Sequence, residues 1–420
     1  MRILVVGSGG REHAICLAFS KSPRVTKLFC ANGNAGIAGL AECVQIKPDD
    51  IRALAEFAVK NAIDLTFVGG ETPLALGIVD EFECRSLKII GASQAAARLE
   101  SSKAFSKDFM SRHGVPTAMF RNANSADEAI AILNEGVFGD ESSPVVVKAD
   151  GLAAGKGVVV AASRKEAVDA IKELATIAGE AAASKIVLEE CLFGREVSLI
   201  MFVDGEDFAL MPPTRDHKRI GEGDTGPNTG GMGTITDVSL MSEEQTRQVV
   251  EEIIKPTLRG CVEEGFRFRG ILFLGLMMTA EGPKLLEYNV RFGDPETQSI
   301  LVRLETDLVD ICEAMLAGKL GEAEIRWVPG SSATVVLAAE GYPYSPRKGD
   351  VLSGLDYAED VTIFHAGTAK NDAGEFVTAG GRVLGVTATG NDLASTLEKC
   401  YLAIEKISWA GMQYRRDIGK

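Results

Sequence analysis

Lys148-Ala149-Asp150-Gly151-Leu152-Ala153-Ala154-Gly155-Lys156-Gly157 lies between two valine runs, Val145–Val147 and Val158–Val160. β-Branched residues on both sides of a glycine-rich turn predict a strand, a loop and a second strand, hence a hairpin. The segment resembles a Walker A loop only superficially, because that loop leads from a strand into a helix and ends in Lys followed by Ser or Thr. Here only three residues separate Gly151 from Gly155, and Gly157 stands where a hydroxyl should follow the lysine. What remains is a glycine flap whose backbone N–H groups and two lysines suit closure over a polyphosphate. Composition alone fits an ordinary glycine-rich hairpin equally well, so the rest of the chain has to decide.

Upstream, Ile3–Val6, Val25–Cys30, Leu65–Val68 and Leu87–Ile90 read as short buried strands alternating with helical segments. That alternation predicts a small doubly wound parallel sheet. Three glycine loops follow its strands: Gly7–Gly10, Asn32–Gly36 and Gly69–Glu71. In such sheets ligands sit beyond the carboxyl ends of the strands, so the loops predict a shared anion cradle. A dinucleotide fold is disfavoured: Glu12 occupies the third glycine position, and the second strand ends Phe29-Cys30-Ala31, without the acid that binds a ribose.

Downstream, Ser125-x-x-Glu128 and Ser163-x-x-Glu166 are capping boxes that open two helices. With the valine hairpin and Ile186–Leu188 they predict a compact α+β unit over 117–192, resembling a lid inserted in a larger body. Asp204-Gly205 predicts a hairpin turn, Ser242-x-x-Gln245 caps a helix to about 260, and a further helix is expected over 297–317. Short strands resume after Gly330 in a separate terminal module.

At 420 residues, two to four domains are expected at roughly 100–200 residues each. The net charge of −15 argues against nucleic-acid and anionic-membrane partners, although local basic clusters still allow a small anionic substrate. The 8 cysteines form no Cys-x-x-Cys pair, so neither zinc nor a disulfide framework is indicated. No signal-peptide core or membrane span is evident, and a reducing cytoplasm is the expected compartment.

Two further constellations carry chemistry. Glu287 and Asn289 share one face of a predicted strand, a pair of hard oxygen donors suited to Mg²⁺ bridging nucleotide phosphates. Arg291-Phe-Gly-Asp294-Pro-Glu296 follows as a turn that sets a guanidinium and two acids beside them. The second is Asp216-His217-Lys218-Arg219, followed by six glycines between Gly221 and Gly233. That glycine content excludes a long strand or helix and predicts a loop rich in exposed amides. No nucleophile elbow or Cys–His pair is present, so covalent catalysis is unsupported.

The glycine hairpin with Lys148, the acidic strand end Glu189-Glu190-Cys191-Leu192 and the late Glu-x-Asn resemble the ATP-grasp fold. More narrowly, six segments resemble the glycinamide ribonucleotide synthetase family, also called phosphoribosylamine–glycine ligases. They are 7–13 (Gly-Ser-Gly-Gly-Arg-Glu-His), 34–36, 148–157, 216–219, 226–233 and 289–296. The resemblance covers essentially the whole chain, including His365-Ala-Gly-Thr and Gly380-Gly-Arg-Val. Gly70, Thr214-Arg215 and Thr234–Asp237 depart from the family's usual residues. The resemblance implies an N-terminal domain over 1–102, an ATP-grasp core over 103–328 with its lid, and a small β-rich domain over 329–420.

It also implies an activity: ATP converts glycine to an acyl phosphate, and the nitrogen of 5-phospho-β-D-ribosylamine displaces phosphate. Lys103, Lys148, Gly155, Lys156 and Gly157 would contact ATP phosphates. Glu189, Glu190, Cys191 and Leu192 would line the adenine pocket, and Glu196 would hold the ribose. Glu287 and Asn289 would bind Mg²⁺ or Mn²⁺. Gly9, Gly10, Arg11, Glu12, Asn32 and Glu71 would face the phosphoribosylamine. Arg291, Asp294, Asp216 and Lys218 would act in catalysis, with His217, Arg219, Asn228, Gly230 and Gly231 beside the substrates. A monomer acting on small molecules is expected. The rivals are another ATP-grasp ligase of purine synthesis, using bicarbonate or formate, and a nucleotide sensor that lost turnover. Retention of Lys148, Glu287, Asn289 and Arg291 speaks against the sensor.

Overall fold

Ile3, Leu4, Val5 and Val6 are fully buried at the centre of a five-stranded parallel sheet. The computed structural model describes residues 1–151, 157–178, 184–357 and 360–420. The sheet contains β1 (Arg2–Gly7), β2 (Lys27–Asn32), β3 (Glu42–Val44), β4 (Leu65–Val68) and β5 (Ile89–Ile90), in the order β3-β2-β1-β4-β5. The strand order reverses between β1 and β4, where Gly7–Gly10 and Gly69–Glu71 leave the sheet. That is the crevice in which doubly wound sheets bind ligands.

The second layer is a four-stranded sheet of β6 (Phe120–Ala123), β7 (Val145–Ala149), β8 (Val158–Ala161) and β9 (Ile186–Glu190), ordered β6-β9-β7-β8. β7 and β8 are antiparallel, with Val145 opposite Ala161 and Lys148 opposite Val158, so the valine hairpin is real. Gly155 and Lys156 lie outside the described residues. Helices Ala126–Asn134 and Arg164–Ala178 accompany this sheet, the first capped by the Ser125 hydroxyl, which accepts from Glu128 N–H.

The largest sheet begins with β10 (Arg195–Asp204), β11 (Asp207–Leu210) and β12 (Thr214–Asp216). β13 (Arg219–Gly221) and β14 (Thr225–Asn228) form a small ribbon, followed by β15 (Gly233–Thr236), β16 (Arg269–Thr279) and β17 (Gly282–Asn289). β18 (Ser331–Ala338), β19 (Thr362–His365) and β22 (Arg382–Gly390) continue the same sheet, with β20 (Thr368–Lys370) and β21 (Phe376–Thr378) as a second ribbon. The order is β17-β16-β10-β12-β15-β18-β22-β19, with β11 on β10. The late strands therefore extend the central sheet through the β15–β18 pairing.

Two expectations are corrected. The glycine-rich stretch after Arg219 is not all loop: β13 and β14 pair across a register shift, and Arg415 Nη1 donates to Arg219 O at 3.1 Å. The helix expected over 297–317 is two, Glu296–Leu301 and Leu308–Leu316. Between them Arg303 donates to Val328 O at 3.0 Å and to Thr236 Oγ1 at 2.7 Å, and Asp307 caps the second helix.

Three histidines tie distant segments together. His13 Nδ1 accepts from His365 N–H at 2.8 Å, and the two rings lie 5.7 Å apart. His365 Nδ1 lies 3.1 Å from the Thr368 hydroxyl, and His217 Nε2 accepts from Gly419 N–H at 3.0 Å. Burial pushes all three imidazoles down to about 4. Their folded values lie below the unfolded one, so their stabilisation is complete above about 6.5 and is lost as pH falls towards 4. Lowering the pH from 7 to 5 is expected to remove roughly 2 kcal/mol per histidine. Urea denaturation at the two pH values checks this; an unchanged midpoint would contradict it.

Candidate active site

β17 sets up the site because its alternation separates two faces. Tyr288 turns into the core, where its hydroxyl meets Thr257 Oγ1 at 2.6 Å. Glu287 and Asn289 face the other way, opposite Gly275 and Phe273 of β16. A Cβ on Gly275 would stand 3.3 Å from Glu287 Cγ, so a side chain there would crowd the carboxylate. Burial alone would raise the Glu287 carboxyl, but the charges of Lys218, Lys148, Lys103 and Arg291 hold it below its ordinary range. Four cations from four parts of the chain thus converge on one carboxylate.

Lys148, on β7, pairs with Glu189 Oε1 at 2.7 Å and donates to Leu286 O at 3.4 Å. Lys107 pairs with the other oxygen of Glu189 at 2.8 Å and donates to Thr117 Oγ1 at 2.7 Å. Burial, with the Lys148 charge adding to it, pushes the Lys107 ammonium down to about 8. Glu189 was expected to line an adenine pocket. Instead its side chain is 2% exposed and closed between two lysines, Lys107 from the helix over residues 103–112 and Lys148 from β7. Glu190 accepts from Met119 N–H at 2.8 Å, and Cys191 and Leu192 are half-buried in the segment that leaves β9.

Lys103 begins the helix Lys103–Arg112, capped by the Ser102 hydroxyl, and donates to Gly151 O at 2.9 Å at the mouth of the hairpin. Gly157 closes the other side, its carbonyl accepting from Ala149 N–H at 2.8 Å. Lys218 pairs with Glu196 at 2.9 Å, and both are about half exposed.

The turn after β17 is gripped from three directions. Arg291 pairs with Glu100 at 2.7 Å and with Glu71 at 3.3 Å, and donates to Asn289 Oδ1 at 3.2 Å. Arg11 donates to Phe292 O at 3.0 Å and stands 4.0 Å from Glu71. Gly9 and Gly10 press on the same turn: a Cβ on Gly9 would be 3.0 Å from Asp294 Oδ2, and one on Gly10 would be 2.5 Å from Gln298 Nε2. Asn32 ends β2 directly beside Gly7. From the opposite side Arg382, on β22, donates to Asp294 O at 2.6 Å and to Gly230 O, and pairs with Asp294 Oδ1 at 3.4 Å. The Tyr342 hydroxyl accepts from Gly230 N–H at 3.0 Å.

Glu12 and His217 were expected to face substrates, and the structure places both elsewhere. Glu12 is buried, accepting from Gly9 N–H at 2.6 Å and pairing with Arg11 at 2.7 Å, which closes the first glycine turn. A Cβ on Gly69 would come within 2.1 Å of it, so Gly69 is required for that closure. His217 is buried and both ring nitrogens are engaged, Nδ1 at 3.0 Å from Gly233 O. Arg219 also turns away, donating to Gly226 O at 2.7 Å within the ribbon, where Asn228 is its exposed partner.

Asp216 stays in the site. Its Oδ1 is buried without a hydrogen-bond partner among the described residues. Burial pushes its carboxyl well above the usual range, and the Glu296 charge adds to this; burial raises Glu296 as well. Gly231 has φ +108°, and a Cβ there would lie 2.6 Å from both Asp216 Oδ1 and Pro295 Cδ. Gly231→Ala is therefore expected to cost about 1–3 kcal/mol in backbone strain alone and to displace Asp216. A thermal melt paired with a turnover assay checks it; a variant normal in both would contradict it.

Sequence reasoning missed Glu100, Lys107 and Arg382. Lys107 follows Lys103 by one helical turn and so shares its face, a signal that was available. Arg382 sits inside the Gly380-Gly-Arg segment, and Glu100 carries no local signal at all.

Residues 1–100 match the profile of the phosphoribosylglycinamide synthetase N domain, 101–297 its ATP-grasp (A) domain and 332–420 its C domain. The chain belongs to the phosphoribosylglycinamide synthetase family. It is 48% identical to the phosphoribosylamine–glycine ligase of Vibrio parahaemolyticus, over 100% of this chain and 98% of that one. It is also 48% identical to the ligase of Pseudomonas aeruginosa, over 100% and 97%. Among solved structures, the phosphoribosylamine–glycine ligase of Thermotoga maritima superposes with a TM-score of 0.86 at 35% identity, covering 100% of both chains. A biotin carboxylase of Campylobacter jejuni shares the fold alone, with a TM-score of 0.73 at 16% identity over 98% and 92%.

Proposed function

We propose that the chain ligates glycine to 5-phospho-β-D-ribosylamine with ATP, giving glycinamide ribonucleotide, ADP and phosphate. The observation that carries this reading is the convergence of Lys103, Lys148, Lys218 and Arg291 on the ionised Glu287. That arrangement neutralises a polyphosphate and leaves one acid for a cation. A glycine carboxylate oxygen attacks the γ-phosphorus and ADP leaves. The ribosylamine nitrogen then attacks the glycyl carbonyl, phosphate leaves with the bonding pair, and the nitrogen gives up a proton. Such transfers need positioning and charge neutralisation more than covalent help.

Lys103 and Lys148 hold the ATP phosphates at the hairpin mouth, and Gly155, Lys156 and Gly157 contribute amide and ammonium donors to the same phosphates. Glu190, Cys191 and Leu192 border the adenine and Glu196 the ribose. Glu189 serves by fixing Lys148. Arg291, Asp294, Asp216 and Lys218 steady the acyl phosphate, while Gly9, Gly10, Arg11, Asn32 and Glu71 border the phosphoribosylamine with Gly230 and Gly231 on the facing loop. Exclusion of water from that intermediate is the reason for a closing flap.

The residues also fit a divalent cation. Among the described residues no three of His, Cys, Asp and Glu gather as a metal site. A carboxylate and an amide oxygen on one strand face suit a hard cation whose other ligands are phosphate oxygens and water. Mg²⁺ or Mn²⁺ bound there supplies charge neutralisation on the transferring oxygens, and Glu287 and Asn289 would hold it. We divide the chain into 1–102, 103–328 with a lid over 117–192, and 329–420. A monomer in the cytoplasm fits the reading; no described helix is long and apolar enough to cross a membrane.

The test is ADP release with each substrate omitted in turn. Release is expected only with glycine and phosphoribosylamine together. Release driven by bicarbonate or formate would replace this reading with a rival ligase.

A further inference from the structure

Arg291 is the cation nearest the Glu287–Asn289 pair in sequence, yet within its own turn it donates only to neutral oxygens, Asn289 Oδ1 and Phe292 O, each at 3.2 Å. Its buried carboxylate partner is Glu100, 191 residues away in the chain. Glu100 lies in the last turn of the helix Gln94–Ser101, two residues before Ser102, which closes that helix and opens the one carrying Lys103. The bend between the two helices sends Lys103 towards the hairpin mouth and Glu100 towards the end of β17. There Glu100 makes two contacts, one with each carboxylate oxygen. Oε1 pairs with Arg291 Nη2 at 2.7 Å, and Oε2 accepts from Val290 N–H at 2.8 Å. The side chain is 8% exposed, so little water competes for either oxygen. Glu71 takes the Nε side of the same guanidinium at 3.3 Å but is 31% exposed and shared with Arg11. Glu100 is thus the better buried partner, and it fixes both the guanidinium and the backbone that follows Asn289.

We infer that Glu100 is the positioning residue for Arg291, setting the angle at which the guanidinium meets the transferring phosphoryl group. The inference rests on the role proposed above for Arg291. A planar guanidinium held at two edges presents its remaining N–H groups in one fixed direction, which a carboxamide or a void at position 100 would not maintain. Glu100 forms no ion pair or hydrogen bond with Lys103, Lys148 or Lys218 among the described residues, and its charge reaches Lys103 only as the weakest of several influences. Removing its charge should therefore spare nucleotide binding and act on the transfer step.

Glu100→Gln is expected to lower kcat roughly 10- to 100-fold through misplacement alone, with KM for ATP within about twofold of the parent. Glu100→Asp keeps the charge and is expected to lose less. In an Arg291→Met background, Glu100→Gln should cost nothing further, since residues acting as one unit are not additive. Losses that simply multiply, or a raised KM for ATP with kcat intact, would overturn the inference. So would full activity in Glu100→Gln alongside an inactive Arg291→Met, which leaves the role of Arg291 standing. Full activity in Arg291→Met would remove that role instead. Circular dichroism and ATP affinity of each variant, measured directly, separate folding failure from a catalytic effect, and Glu100→Asp carries the test if Glu100→Gln does not fold.

Discussion

Glu287→Gln is expected to lower kcat roughly 10³-fold while leaving the protein folded, because several kcal/mol of transition-state charge stabilisation is lost with the cation. The substitution keeps the shape and one oxygen donor but removes the charge that Lys103, Lys148, Lys218 and Arg291 surround. Those four cations would then face one another without their shared acid. In the parent a phosphate-bound divalent ion would meet a carboxylate; in the variant it would meet only amide oxygens. The readout is ADP release at saturating substrates against Mg²⁺ concentration. Recovery at high Mg²⁺ would locate the defect in metal affinity, whereas parental turnover at all concentrations would refute the assignment of Glu287.

The second large effect concerns stability. Glu189 is the counter-charge of both Lys107 and Lys148, at 2.8 and 2.7 Å, and all three side chains are buried. Glu189→Gln leaves two lysines facing each other in a region with little water. Breaking a buried pair by removing one partner costs about 3–5 kcal/mol. The loss should be concentrated in the β6–β9 sheet, so hydrogen exchange of its strand amides is the measurement. Faster exchange there, with the parallel sheet of β1–β5 unaffected, is the expected pattern. ATP affinity should fall as well, since Lys148 loses the partner that orients it. Unchanged protection in β7 and β9 would show that the lysines find other compensation.

Much of the molecule is legible where the signal is local. The valine runs and intervening glycines produce the β7–β8 hairpin because strand propensity and turn chemistry act over a few residues. The first hundred residues give their parallel sheet because apolar strands alternate with helices, and β4 spans the Leu65–Val68 run that this alternation predicts. Boundaries drift where a neighbour intervenes: β2 begins at Lys27, since Val25 N–H is taken by Ser22 O in a turn. The helix after Glu296 breaks because Arg303 finds partners in β15 and near Val328, neither of which lies in the helix's own sequence.

The candidate site divides the same way. Residue types and spacing on single elements determined the Glu287–Asn289 face, the position of Lys148 on a hairpin and the polar turn holding Arg291 and Asp294. Periodicity fixes which side chains share a face, and that is a property of consecutive residues. Which of those side chains are free was decided only by the packed chain. Glu12 is consumed by its own glycine turn, His217 by the C-terminal backbone at Gly419, and Glu189 by two lysines. Glu100 and Arg382 enter because a distant helix and a distant strand bring them within hydrogen-bond distance of one turn. Burial, ion pairing and hydrogen bonding act at 3 to 4 Å regardless of separation along the chain, so partners hundreds of residues apart leave no trace in a linear pattern.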